Sequence, residues 1–332
     1  MARSKAFLVP LPADALSASI PQDYVALLSF SGAHEGIVEA LNQLFPQQSY
    51  KVALLESALC PPLPQLLVRA AEAGIPLIHL GPELPKAALQ AKNYPAPFSA
   101  NIIAPGSAES GFISKLARDP LTKHLSWVGY QSYCCAPTLL SSLQERYMSC
   151  LRLGAYREDF TEAEPLLRAH PVSYIDLAAV RHSDVPELSA AGPNGLYAEE
   201  ICQLARYIAT GTHPNACFIY GYPQNPGSLQ IVSKLTAQIL WHLFEGLALR
   251  RHEDPSLPEQ KLLFAQKKVC FGNNNQTINF LQSTQTSRWW IEVPAASTDK
   301  IIIPCSPQTY AQALRGEIPL IWLHYYQKLS CK

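Results

Sequence analysis

Charge of either sign is scarce in this chain. Only 16% of its 332 residues are Asp, Glu, Lys or Arg, and 26 basic residues balance 26 acidic ones. Such a balance leaves no electrostatic footprint for nucleic acid or an anionic membrane. Little charge beside 48% apolar residues also excludes a disordered chain. No apolar run is long enough to span a bilayer. The segment Met1 to Pro12 has basic residues and a short apolar run, but Pro10 and Pro12 break it and no convincing cleavage site follows. No Cys-x-x-Cys pair exists, which argues against a zinc ribbon. The nine cysteines (Cys60, Cys134, Cys135, Cys150, Cys202, Cys217, Cys270, Cys305 and Cys331) are odd in number and scattered. They read as reduced thiols, so the expected location is cytoplasmic. Glycine is sparse at 16, and 28 prolines punctuate the loops instead. Internal repeats and low-complexity segments are missing too.

What is present is an alternation of short apolar runs with helical patterns. Strands are expected at Tyr24–Phe30, Lys51–Leu55, Pro76–Leu80, Ala100–Ile103, Ser126–Tyr130, Ser173–Leu177 and Cys217–Tyr220. They are apolar on both faces, as strands buried between two helical layers are. Helices are expected at Gly32–Phe45, Thr138–Leu153, Leu196–Ile208 with Asn194 as cap, and Leu229–Leu249. The pattern predicts an α/β fold, a three-layer αβα sandwich on a mostly parallel sheet of about eight strands. The Pro-containing stretch Arg250–Gln260 then breaks the rhythm. Beyond it, Val269–Phe271, Thr277–Leu281 and Arg288–Pro294 predict a small β appendage, followed by a helix Pro307–Leu314 capped by Ser306. The expected division is residues 1–260 for the sandwich and 261–332 for an appendage packed on it.

The strand Ser173–Leu177 ends in an acid, Asp176, and a polar loop with Arg181, His182 and Asp184 follows. Ligands bind at the carboxyl ends of strands in such sheets, so these four residues are the candidate pocket. Asp176 could hold a metal or a substrate amine, or it could cap a helix or pair with an Arg. The loop trio could join it, or form an ordinary salt-bridged loop. His79 reads as a satisfied, half-buried histidine. Cys134 and Cys135, with His124 and His170, could form a Cys/His nucleophile, although buried structural thiols are the commoner case. Of Trp289 and Trp290, strand alternation leaves at most one free as a binding platform.

Several motifs, in order, resemble the arginase, agmatinase and formimidoylglutamase (ureohydrolase) superfamily. They are Trp127–Tyr133, Arg152-Leu153-Gly154, Glu162–Pro165, Ser173–Asp184 with Val185-Pro186, and Pro193–Glu200. The segments Arg288–Pro294, Ile303–Ser306 and Tyr326–Leu329 are similar to the C-terminal extension of a formimidoylglutamase-like branch. The resemblance implies a two-manganese hydrolase, in which metal-bound water is made acidic enough to attack a guanidinium or formimino carbon. It implies a His after one strand, Asp-x-His-x-Asp after the next, Asp-x-Asp later, and a downstream Glu. Placed on this chain, those positions hold Gly81–Leu84 with no His, then Ala104, Gly106 and Ala108, then Asp176 and Ala178, then Gly221. His79 precedes the expected position and Glu109 is displaced from it. Only Asp176 stands at a family ligand position, and one carboxylate cannot chelate two divalent cations.

The sequence therefore predicts an arginase-fold protein that has lost its dimanganese centre, binds no cofactor and is non-catalytic. It would act on an unknown small molecule or protein through a remodelled pocket or surface, with no nucleic acid and no membrane as partner. The alternatives are a formimidoylglutamase-like hydrolase of linear amidine C–N bonds, with manganese, and a small-molecule sensor.

Overall fold

Residues with apolar side chains on both strand faces form a sheet covered on both sides. The structure, a computed structural model, describes residues 7–11, 20–55, 61–224, 231–271, 276–295 and 299–330. Among these, nine strands make the central sheet: β1 (Leu8–Leu11), β2 (Tyr24–Phe30), β3 (Lys51–Leu55), β4 (Leu77–Leu80), β5 (Phe98–Ile103), β6 (Thr122–Tyr130), β7 (Ser149–Arg152), β8 (Val172–Asp176) and β9 (Ala216–Tyr220). Their order is β1-β3-β2-β4-β9-β8-β5-β6-β7 and every neighbouring pair is parallel. All seven expected strands are present. The two additions, β1 and β7, are the edges, where one-sided pairing leaves a short and weak pattern.

The principal helices are α1 (Glu35–Asn42), α2 (Leu63–Ala73), α3 (Phe112–Arg118), α4 (Pro137–Glu145), α5 (Leu153–Glu158), α6 (Ala163–Arg168), α7 (Ala198–Ala209) and α8 (Ile231–Ala248). On one face of the sheet, Ile37, Tyr156, Leu167, Ile201 and Val232 bring α1, α5, α6, α7 and α8 onto Leu28, Ile78, Ile103 and Ile175. On the other, Leu66, Ile113 and Leu139 bring α2, α3 and α4 onto Leu27, Leu77, Ala100 and Phe218. The predicted three-layer sandwich is thus observed.

Two local expectations are corrected. The helix expected over Thr138–Leu153 is α4, then β7, then the start of α5. Tyr147 has φ of 51°, a left-handed conformation that ends α4 and turns the chain into the edge strand. Asn194 does not cap α7. The helix starts at Ala198, where the Tyr197 N–H donates to Glu200 Oε2 at 2.7 Å and the Ala198 N–H to Asp184 Oδ2 at 3.0 Å. Acids at a helix start satisfy orphan donors and oppose the positive end of its dipole. The expected helix Leu229–Leu249 is α8, and its first two expected residues lie outside the described ones.

The C-terminal part is a four-stranded antiparallel sheet: β10 (Phe264–Phe271), β11 (Gln276–Ser283), β12 (Trp289–Ala295) and β13 (Asp299–Cys305). Two helices follow, α9 (Pro307–Leu314) and α10 (Leu320–Ser330). Ser306 caps α9 as expected, its Oγ accepting from the Thr309 N–H at 3.1 Å. One face of this sheet packs Phe280, Trp289, Ile291 and Val293 with Tyr310, Trp322 and Tyr325 of the two helices. The other face packs Phe264, Leu281 and Trp290. Neither tryptophan is a free platform, because both faces are covered: Trp289 is 7% exposed and Trp290 4%.

The small sheet docks on the sandwich through a buried arginine. Arg168 of α6 donates to the Trp289 carbonyl at 2.6 Å, pairs with Glu164 at 2.8 Å and lies over the Trp290 ring at 4.3 Å. Arg288 also reaches Glu164 at 3.0 Å and the Thr210 carbonyl at 3.1 Å. Ser306 donates to Glu162 across the same seam.

Candidate functional site

Parallel strands deliver their following loops to one end of the sheet. In the middle of that end β4, β9, β8 and β5 lie side by side, so the loops starting at Gly81, Gly221, Leu177 and Ala104 emerge together there, where a sheet of this kind has its candidate crevice. The register is direct: Asp176 opposes Tyr220, Ile175 opposes Ile103, and Leu80 opposes Ile219. Gly81 donates to the Ile219 carbonyl at 3.1 Å and Gly221 to the Pro82 carbonyl at 3.1 Å.

Asp176 is the acid of this crevice. Its Oδ1 accepts the Ala178 N–H at 2.9 Å, and the Tyr220 phenol donates to the same carboxylate. Burial outweighs both bonds and raises its pKa to about 6. Tyr220 is in turn pushed well up, by burial first and then by the Asp176 charge. The Phe112 ring meets Tyr220 edge-on at 6.0 Å and closes the apolar side.

The neighbouring positions carry no metal donor. Ala104 is buried at the end of β5, where its carbonyl accepts from Trp127 Nε1 at 2.9 Å. A Cβ on Gly106 would overlap the Cys134 carbonyl oxygen. The loop after β6 thus fills the space that a His side chain would need. Gly221 has φ of 86°, and a Cβ there would lie 3.2 Å from Asp176 Oδ1. A Glu at that position would be strained and crowded. His79 is turned inward on β4, with Nδ1 2.9 Å from Ser29 Oγ and Nε2 3.3 Å from Ser31 Oγ. Burial lowers its pKa to about 4. Glu109 lies on the surface, 3.8 Å from Arg118. Among the described residues no group of three or more His, Cys, Asp or Glu could hold a metal ion.

The loop trio has other work. Arg181 Nε donates to Asp184 Oδ1 at 2.6 Å and its guanidinium lies over Tyr197 at 4.1 Å. Arg157 covers the same ring at 4.2 Å. Asp184 caps α7, which with the Arg181 pair holds its pKa down against partial burial. His182 Nδ1 is 3.2 Å from the Leu188 carbonyl. Arg181 and Asp184 thus anchor the loop on the start of α7 and His182 bonds within the loop, while the bonds of Asp176 run to Ala178 and Tyr220.

Sequence reasoning missed a polar cluster in the loop after β6. Tyr133 donates to Gln131 Oε1, Gln131 Nε2 donates to the Asn194 carbonyl at 3.1 Å, and Asn194 Nδ2 lies 3.4 Å from the Tyr133 hydroxyl. Gln131, Tyr133 and Asn194 all lie in motifs of the resemblance, which was the available signal. Cys134, next to Tyr133 in the chain, is exposed, whereas Cys135 is buried and burial raises its pKa. His124 and His170 are hydrogen-bonded to Ser149 and Ser126.

The architecture is the arginase-like α/β fold. A manganese-bound variant of Trypanosoma cruzi formiminoglutamase superposes with a TM-score of 0.57 at 13% identity, over 72% of this chain and 98% of that one. Formimidoylglutamase of Bacillus subtilis gives 0.57 at 12%, over 75% and 92%. The agmatine ureohydrolase of Thermoplasma volcanium gives 0.55 at 11%, over 70% and 93%. No family profile matches the sequence and no curated protein matches it. At such identities the likeness is one of fold.

Proposed function

We propose that this chain is an arginase-fold protein without a dimanganese centre, acting through the remodelled crevice around Asp176 and not by ureohydrolysis. One observation carries the reading. The loop after β6 occupies the space over Gly106, so the central ligand position of the metal motif is closed by backbone. Ala104, Ala178 and Gly221 beside it offer no side-chain donor, and Asp176 is already hydrogen-bonded to its own strand end and to Tyr220. A divalent cation needs several oxygen ligands, and this crevice offers one carboxylate whose burial favours the protonated form near pH 6.

A second reading is favoured by the names of the structural relatives, two of them formiminoglutamases and one an agmatine ureohydrolase. It makes the chain a hydrolase of linear amidine C–N bonds. Elemental analysis separates the two readings. After manganese loading and desalting, the first expects well under two ions per chain and no release of formamide, urea or ammonia from formiminoglutamate, arginine or agmatine. Two tightly held ions, or turnover that Asp176→Asn abolishes, would sink it.

A further inference from the structure

A cavity lies at the opposite end of the sheet from Asp176, by the amino ends of β4 and β9. Parallel strands with returning helices bring the carboxyl ends of those helices to this side. Here they are α2, ending at Ala73, α7, ending at Ala209, and α8, ending at Ala248. The residues just past these ends, Gly74, Thr212 with His213, and Arg250 with His252, line a cavity of about 330 Å³. Its charged lining is basic throughout, namely Arg250, His252 and His213. Ala71 and Asn215 also line an adjoining cavity of about 360 Å³. That second space has Leu67, Val68 and Pro95 in its wall and one charge of each sign, Lys92 and Glu72.

Helix carboxyl ends attract cations, which ordinarily bond the last carbonyls. Arg250 does not do so. Among the described residues its guanidinium bonds only His252, with Nη2 3.4 Å from the imidazole Nε2, and its Nε is buried with no acceptor. Burial pushes the guanidinium below its ordinary pKa. His252 is held down too, by burial first and then by Arg250 and His213. The acid beside this group is Asp254, 3.7 Å from His213 Nε2, and its Oδ1 already accepts the Ser256 N–H at 2.9 Å. The Glu253 carboxylate is taken up by the Ser283 hydroxyl and by that of Thr286 at 2.6 Å. A cation partly withdrawn from water without a counter-charge is costly until an anion supplies one. We propose that this cavity is a second ligand site, separate from the Asp176 crevice, which takes the phosphoryl group of a small molecule. Arg250 and His252 donate to the phosphoryl oxygens, His213 adds a third donor, and the body of the ligand lies along the adjoining cavity. A guanidinium suits phosphoryl oxygens. Donors on three separate loops suit a tetrahedral group better than a planar carboxylate.

Inorganic phosphate titrated into the full chain, with the imidazole Cε1–H signals followed between pH 5 and 8, tests this. The His252 and His213 signals should shift together and saturably, while those of the buried His79 and His170 stay in place. Bound phosphate should also raise the pH at which His252 takes up its proton, because the anion offsets the Arg250 charge. Arg250→Met and His252→Ala each remove one donor and should weaken binding by about tenfold or more. His252 lies on the exposed linker, so its variant keeps the test open should Arg250→Met fail to fold. Acetate, a planar monoanion, should bind more weakly than phosphate. Shifts that stay linear in phosphate concentration, or an affinity unchanged in a folded variant, would overturn the site. Acetate binding as tightly as phosphate would overturn the phosphoryl class.

Discussion

Asp176→Asn separates a structural acid from a metal ligand by the direction of its effect on stability. The carboxyl has a pKa of about 6 in the fold, against 3.8 unperturbed. That gap of about two pH units corresponds to about 3 kcal/mol of unfavourable charge burial above pH 7. Asparagine has the same shape, carries no charge and can still accept the Ala178 N–H. Its amide N–H₂ replaces one acceptor oxygen, and the charge-assisted bonding that is lost offsets about 1 kcal/mol. A net gain of about 2 kcal/mol should raise the Tm by roughly 4 °C at pH 8. Between pH 3.8 and 6 the folded chain holds a proton that the unfolded chain has released. The Asp176 contribution therefore worsens as pH rises through this window, and the gap between variant and parent should open from pH 4 to pH 7. Scanning calorimetry of both proteins at pH 4, 6 and 8 measures it. A variant that melts below the parent at pH 8, or a gap that widens toward acid, would refute the reasoning.

Three further outcomes follow from the packing. Gly106→Ala places a methyl group on the Cys134 carbonyl, and the resulting shift of the loop should cost about 1–3 kcal/mol in chemical denaturation; an unchanged midpoint would show that the loop yields freely. Arg168→Ala removes a buried cation that bonds Glu164 and the Trp289 carbonyl. It leaves Glu164 with Arg288 alone, so a loss of about 3–5 kcal/mol is expected, and a loss under 1 kcal/mol would show the seam to be held by apolar contact. Truncation after Arg251 uncovers Arg168 and the α6 surface, and should lower solubility and Tm; a soluble fragment melting at the parent temperature would make the C-terminal sheet an independent module.

Much of this architecture could be read from the chain because it rests on local patterns. Runs such as Leu27-Leu28 and Ile102-Ile103 are apolar on both faces, and only a sheet covered on both sides buries them. Ser306 before Pro307 marks a helix start by cap chemistry alone. The poverty of metal donors at Ala104, Gly106, Ala178 and Gly221 is equally a matter of residue type. Edge strands escaped notice because half their pairing is absent, and Tyr147 gives no local warning of its left-handed turn. Only the tertiary structure decided what the polar residues do. Asp184 and Arg181 are close in sequence to Asp176, yet their bonds go to the start of α7, which arrives from elsewhere in the chain. The partner of Asp176 is Tyr220, 44 positions away but its neighbour in the parallel register. His124 meets Lys328 across 204 positions. Periodicity and capping act over a few residues and leave their mark in the sequence. Hydrogen bonds and burial across a fold depend on which strands lie adjacent, and so become visible only once the chain is packed.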